Sequence, residues 1–496
     1  MLLAQPGTTV LALPHSGDQT VCSFGAIQIE GPSMASVRRR ISDNARSCPN
    51  TNPSLSIIYR DIDELQANPE NPRLHSKKQI KQIARSIQDF GFNVPFLVDR
   101  NLRLIAGHGR AEALKLLGIR KVPTICLEHL SESQARAFTI ADNRLTEIAT
   151  WDDHKLAEQF KILTEITLDF SPESTGFEMG EIDVIMEGLT PALSKEKDPA
   201  DKLPQIDSEF RVTEANDLWL LGRSRLVCGD ALDERAYSLL MEGQRAACVF
   251  IDPPYNDPID GYVTGFGKLH HSEFAMASGE MSKTEFTEFL HKAISQLVSN
   301  STAGALHFIF MDWRHIPELL AAAGRVYAEF KNLCIWIKDS GGQGSLYRSQ
   351  HELVFVFKSS KDKHRNNIQL GQYGRYRTNV WEYPRVNSFS TPSEDGELTA
   401  LHPTVKPVAL VADAIMDCTV RGDIVLDSFL GSGTTLIAAE QVGRICYGME
   451  VEGTYVDMAV RRWQTATGKT AIHAKSGRSF GELEEAARGR QQRERR

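Results

Sequence analysis

Residues 424–440, IVLDSFLGSGTTLIAAE, decide the fold class. Ile424-Val425-Leu426 reads as a buried strand that ends at Asp427, Gly431 and Gly433 mark a tight turn, and a helix opens at Thr434 or Thr435. In open α/β sheets ligands sit at such a turn, because backbone amides at the strand's carboxyl end and the helix N-terminus face outward. Glycines there reach positive φ and let a ligand approach the backbone. No Lys follows them, which excludes a phosphate-cradling P-loop. Glu450, in YGMEVE (447–452), lies one strand later. An acid at that place suits hydrogen bonds to ribose hydroxyls. With Asp427 it fits an adenosine ligand better than a pyrophosphate; a plain βα turn is the competing reading.

Upstream, VFIDPPYN (249–256) delivers Asp252, Pro253, Pro254 and Tyr255 to the end of another apolar strand. A Pro-rich turn with a surface Tyr is the bland reading, but the tetrapeptide has a chemical use. An exocyclic amine of adenine or cytosine is a weak nucleophile, because its lone pair is delocalised into the ring. Asp252 and the Pro253 carbonyl can each accept one amine hydrogen and free that lone pair for attack. Pro254 stiffens the loop and withholds an N–H donor. Tyr255 can stack on a base flipped out of a duplex.

DPPY followed by DSFLGSGTT resembles the β-class amino-methyltransferases of DNA, whose permuted order puts the catalytic segment before the cofactor loop. LVCGDALD (226–233) resembles the segment that packs on the cofactor's adenine, and HPTVKPVAL (402–410) the one that closes on its methionine end. The match spans about 211–470. It implies a Rossmann-like, S-adenosylmethionine-dependent methyltransferase domain of α/β class with permuted motif order. Its catalytic residues would be Asp252, Pro253, Pro254 and Tyr255. Cofactor contacts would come from Asp230, Ala231, Thr404, Lys406, Pro407, Asp427, Phe429, Gly431, Gly433, Thr434 and Glu450. The implied partner is double-stranded DNA, without a metal. DPPY resembles the adenine-N6 enzymes more closely than SPPY, the commoner cytosine-N4 form; cytosine N4 remains the alternative. A free-standing bacterial or phage methylase, as in restriction–modification, is the implied setting.

In that pattern, target recognition falls at about 338–400. Within 331–385 ten basic residues face four acidic ones, a local balance of +6 in a chain of net charge −8, as a phosphate-tracking groove requires. Tyr347, Tyr373, Tyr376, Trp381 and Tyr383 are interleaved; a solvated loop is the competing reading. GGQGSLYRSQHE (341–352) resembles a recurrent segment of the family. Residues 256–281 are glycine-rich with little periodicity and read as a lid.

Residues 51–150 read as a small α+β domain. Strands are expected at 56–59, 95–98, 104–105 and 122–127, and helices at 76–90 (capped by Ser76 and Gly91), 110–117 and 131–149. NPR (71–73), AGHGRAEAL (106–114) and ADNRL (141–145) resemble the ParB-like N-terminal domain. That resemblance implies nucleotide or phosphate contacts at Gly107, His108 and Arg110. Gly109 stands where a second basic residue is usual, which puts nucleotide hydrolysis in doubt. A DNA-binding accessory, a nucleotide-binding clamp and a nuclease-like activity are the competing roles, with the accessory preferred; His108 and Arg110 acting only as helix caps is the structural alternative.

Residues 1–50 read as a disordered leader, with Met34 a second candidate start. Residues 151–210 read as a helical segment and linker, and 471–496 as a polar basic tail. The eight cysteines are scattered without a CxxC pair, as in a reducing cytoplasm. No apolar run is long enough for a membrane span. A homodimer is compatible with the sequence. Two rival functions stay open: a ParB-type DNA-binding protein with a relic methylase domain, and methylation of RNA or protein.

Overall fold

The structure, a computed structural model, describes residues 55–165, 170–187, 201, 211–256, 279–339, 341, 346–371, 375–386 and 405–494. The leader, most of the linker at 191–205, the body of the expected lid, Tyr373, residues 387–400 and Thr404 lie outside them.

The N-terminal module runs β1 (Ile57–Asp61), α1 (Lys77–Phe90), β2 (Phe96–Val98), β3 (Leu104–Ala106), α2 (His108–Leu117), β4 (Lys121–Cys126) and α3 (Glu132–Glu147). Its strands lie in the order β1-β4-β2-β3. Ser76 caps α1 by accepting from the Gln79 amide at 3.1 Å, and Gly91 closes the other end. Ile80, Ile83, Ala84 and Ile87 pack with Phe96, Val98 and Leu114 into one core. Phe90 stays 42% exposed and meets Phe170 edge-on instead.

Next come α4 (Asp153–Glu165), a 3₁₀ turn (Pro172–Thr175) and α5 (Met179–Glu187). This stretch bridges the module to the rest of the protein. Glu173, 9% exposed, accepts from Arg85 of α1 at 3.0 Å and from Arg365 at 3.2 Å. Asp183 holds Arg444 through two hydrogen bonds of 3.0 and 2.7 Å, with both side chains fully buried. The helical part expected within 151–210 is therefore an anchored strap.

Among the described residues, ten strands form the large sheet, ordered β11-β9-β10-β8-β7-β12-β13-β6-β5-β14. They are β5 (Leu218–Leu221), β6 (Ser224–Cys228), β7 (Ala246–Ile251), β8 (Ser301–Met311), β9 (Glu329–Ile337), β10 (His351–Lys358), β11 (Val380–Glu382), β12 (Ile424–Asp427), β13 (Ile445–Glu450) and β14 (Ile472–His473). The centre, β8-β7-β12-β13-β6, is parallel throughout. Alternate residues of β7 enter two cores: Cys248 and Phe250 join one, Val249 and Ile251 the other. α6 (Glu234–Met241), α7 (Lys283–Ser299) and α8 (Ile316–Ala323) cover one face. α9 (Val408–Met416), α10 (Thr434–Gln441) and α11 (Gly453–Thr467) cover the other. Burial on both faces is why these strands read as unbroken apolar runs.

The C-terminus corrects the sequence reading. β14 pairs with β5, and Phe480, 1% exposed, starts α12 (Phe480–Glu494) by packing on Trp219. Residues 472–480 belong to the sheet domain, so the expected tail at 471–496 begins as folded structure.

Candidate active site

Four adjacent parallel strands end at one edge of the sheet. β6 delivers Asp230 and Ala231, β13 Glu450, β12 Asp427 and the glycine loop, and β7 Asp252 to Tyr255. Strands distant in sequence thus converge where open α/β sheets hold ligands.

Asp427 is 4% exposed and directed at its own loop, accepting from the Phe429 amide at 3.0 Å and from Thr435 Oγ1 at 2.6 Å. Burial pushes its pKa up to about 7. Glu450 accepts from the Gly431 amide at 2.8 Å and the Glu452 amide at 3.0 Å, and burial raises its pKa as well. Asp230 accepts from the Leu232 amide at 2.8 Å. With Asp252 these carboxyls line the edge, a set of acceptors that suits a cationic ligand bearing hydroxyls.

Two predicted cofactor contacts take other parts. Gly433 has φ 86°, and a Cβ there would come 2.9 Å from Ala459 Cβ on α11. Thr434, 7% exposed, accepts from Arg462 at 3.1 Å. Both serve the seat of α10 against α11, where close packing rather than ligand access demands the small residue. The Phe429 ring turns to Phe289 of α7, at 6.3 Å between centroids.

At the end of β7, Tyr255 donates to Asp252 Oδ1 at 2.6 Å, while Lys406 Nζ pairs with Oδ2. Lys406, 5% exposed just before α9, also meets Glu352 Oε2 at 3.2 Å, and Lys338 Nζ meets Oε1 at 2.6 Å. Burial raises the Asp252 pKa; Lys406 pulls against it and Glu352 adds to it. Burial also opposes charge on Lys406 and Glu352. For Lys406 the two carboxylates prevail and its pKa rises; for Glu352 the two lysines prevail and its pKa falls. Lys406, expected at the cofactor, pairs with Asp252 and Glu352. Glu352 escaped sequence reasoning, although it closes the segment 341–352 noted there.

Two family models match the chain: "DNA methylase", the N6/N4 type, over residues 246–461, and "ParB N-terminal domain" over 50–144. The chain carries a domain of the N6/N4 DNA methylase family behind a ParB N-terminal domain. The methylase part is 26% identical over 276 residues to the DNA adenine methyltransferase YhdJ of Escherichia coli K12, covering 50% of this chain and 84% of that one. The N-terminal part is 41% identical over 80 residues to the ParB-like nuclease domain-containing protein YnaK of the same organism, covering 16% of this chain and 92% of that one. Among solved structures, the M1.HpyAVI–SAM complex aligns with a TM-score of 0.34 at 20% identity, over 48% of this chain and 98% of that one. The methyl donor of the methylase is S-adenosylmethionine, and the carboxyl-lined edge fits its sulfonium, ammonium and ribose groups.

In the segment expected to recognise the target, part of the positive charge is paired inside the fold. Arg375, buried, pairs with Asp413, Asp417 and Glu187, each at 3.0 Å; Arg377 pairs with Asp413 and Asp417 at 3.2 and 3.1 Å. Lys331 and Lys358 share Glu329. Trp381 is 4% exposed and lies in the core. A count of charge along 331–385 does not see Asp413 and Asp417, which lie beyond the window. Among the described residues Tyr347 and Tyr376 are exposed here, as is Trp313 just past β8, over which Arg314 stacks at 5.0 Å. Asn256 clasps the ends of the expected lid segment: its Nδ2 donates to Met281 O at 2.8 Å, and its Oδ1 accepts from the Gly279 and Met281 amides.

In the ParB domain, Gly107 has φ 112° and opens α2 without a side-chain cap, so His108 and Arg110 are not capping residues. His108 Nε2 and Arg110 Nε are buried without a hydrogen-bond partner among the described residues. Burial and nearby His75 lower the His108 pKa, which favours the neutral ring. A Cβ on Gly109 would come 2.9 Å from the His75 ring, so a larger residue there requires that ring to move.

Proposed function

We propose that the protein methylates adenine N6 in double-stranded DNA, on a base flipped out of the helix. The observation that carries this reading is DPPY at the end of β7, beside the glycine loop of β12, with a carboxylate as its first residue. Asp230, Ala231, Gly431 and Glu450 would hold S-adenosylmethionine, which would supply a methyl group on a positively charged sulfur. Asp252 and the Pro253 carbonyl accept the amine hydrogens and leave the nitrogen lone pair free to attack the methyl. The new N–CH₃ bond forms as the S–CH₃ bond breaks with its electron pair going to sulfur, and Asp252 takes the amine's surplus proton. Tyr255 offers a ring to stack on the base. Trp313 and Arg314, 59% exposed and part-exposed beside Asp312, offer a stacking surface and a phosphate contact. The similarity to an adenine methyltransferase supports adenine over cytosine N4.

The test is to incubate protein with unmethylated bacterial DNA and labelled S-adenosylmethionine, digest to nucleosides and identify the product by mass spectrometry. N6-methyladenine that disappears with Asp252→Ala is the expected result. N4-methylcytosine would keep the site and overturn the base. DNA binding without transfer would favour a ParB-type binding protein.

The ParB domain is read as a DNA-binding accessory, with Gly107, His108 and Arg110 as a phosphate contact. The unpaired buried nitrogens at the start of α2 support that reading. Loss of nucleotide or DNA binding in Arg110→Ala, at unchanged melting temperature, would test it.

A further inference from the structure

Both oxygens of Asp252 are occupied, one by the Tyr255 hydroxyl and one by Lys406. A target amine needs one of them. Lys406 is 5% exposed, so an ammonium that simply let go would lose its charge partner in a dry place. A second carboxylate waits on its other side. Glu352 Oε2 lies 3.2 Å from Lys406 Nζ, while Glu352 Oε1 is fixed by Lys338 at 2.6 Å. The alternation Lys338, Glu352, Lys406, Asp252 joins the end of β9, the start of β10, the approach to α9 and the end of β7.

We propose that Glu352 is a positioning residue for methyl transfer: it shares Lys406 with Asp252 and retains the ammonium when the target amine takes its place on the Asp252 carboxylate. The inference rests on the methyltransferase reading and holds for either base. It gives the segment 341–352 a role that its glycines and polar residues did not disclose. Without Glu352, Lys406 loses one of the two carboxylates it meets among the described residues, and the amine must compete with a tightened ion pair to Asp252. Without Lys406, burial drives Asp252 toward the protonated form, a weaker acceptor for the amine hydrogen that cannot take up the later proton. The other ionisable groups facing the pair are Tyr255, Asp312 at the end of β8 and Asp427 at the end of β12.

The experiment measures single-turnover methyl transfer to unmethylated duplex DNA at saturating labelled S-adenosylmethionine, with cofactor affinity followed by calorimetry. Glu352→Gln is expected to lower the transfer rate by about tenfold to a hundredfold, with cofactor affinity unchanged. Glu352→Asp, which keeps the charge, recovers part of the rate. Lys406→Met is slow at neutral pH and speeds up as pH rises and Asp252 ionises, and adding Glu352→Gln to it has little further effect. A Glu352→Gln enzyme as fast as wild type overturns the proposal, as does one whose slowness follows from lost cofactor affinity. Should Glu352→Gln fail to fold, a pH profile of Lys406→Met parallel to wild type overturns it instead. The label counts methyl groups whichever base receives them, so an inactive wild type speaks against the methyltransferase reading, and a fast Glu352→Gln against this one alone.

Discussion

A carboxyl group 4% exposed, as at Asp427, is held in the fold against its own preference for water. Its pKa rises from 3.8 to about 7, so between those values the folded state keeps a proton that the unfolded chain has released. Stability therefore falls as pH rises through that window and levels off above 7. Asp427→Asn removes the ionisation, and its stability relative to wild type should grow from pH 4 to pH 7.5, by at most roughly 4 kcal/mol. Denaturant melts at the two pH values check this, and a difference independent of pH would discard it. The same variant is expected to weaken S-adenosylmethionine binding, because the carboxylate orders the loop through Phe429 and Thr435. At this scale the sequence announced Asp252, Asp427 and Glu450, whose place at strand ends follows from local pattern. It was silent on Glu352, because the partner that gives it meaning, Lys406, is brought near only by the sheet.

Helix α10 meets α11 at a point where a single methyl group is too much. Gly433→Ala would place a Cβ 2.9 Å from Ala459 Cβ at a backbone φ of 86°. A cost of about 1–3 kcal/mol is expected from the strained backbone and the overlap together. Ala459→Gly in the same chain should recover the overlap but not the strain, and chemical denaturation of the double variant separates the two. Elements with strong caps and clear periodicity were legible: Ser76 and Gly91 bound α1 as read, and Ser131 begins α3. The start of the C-terminal region was not, because the fold engages it through sparse apolar residues, Ile472 and Phe480, among polar neighbours. Such positions have no period to detect; they acquire partners only when β5 and Trp219 are already in place.

At the scale of the whole chain, the ParB domain and the methylase domain are joined through Glu173, Asp183 and Glu187, each holding an arginine of the sheet domain. Arg444→Met takes the bidentate partner from the Asp183 carboxylate in a place closed to water and leaves it Arg421 at 3.3 Å. The expected loss is about 3–5 kcal/mol. Calorimetry of the variant should show the strap and ParB domain melting ahead of the methylase, where wild type melts together; an unaltered single transition would refute the coupling. The sequence showed two domains and a linker but not this joint, since ion pairs between residues 183 and 444 leave no local trace. In the stretch 331–385, read as a phosphate-tracking groove, the inward turn of Arg375 and Arg377 to α9 and its C-cap was hidden for the same reason.

The closed Asp183–Arg444 joint has a practical consequence for ionic strength. Mobile ions screen charges that face solvent and reach enclosed pairs poorly, whereas affinity for a phosphate backbone drops steeply as salt is added. Concentrated salt should therefore strip nucleic acid from the protein and leave the strap clamped to the sheet domain.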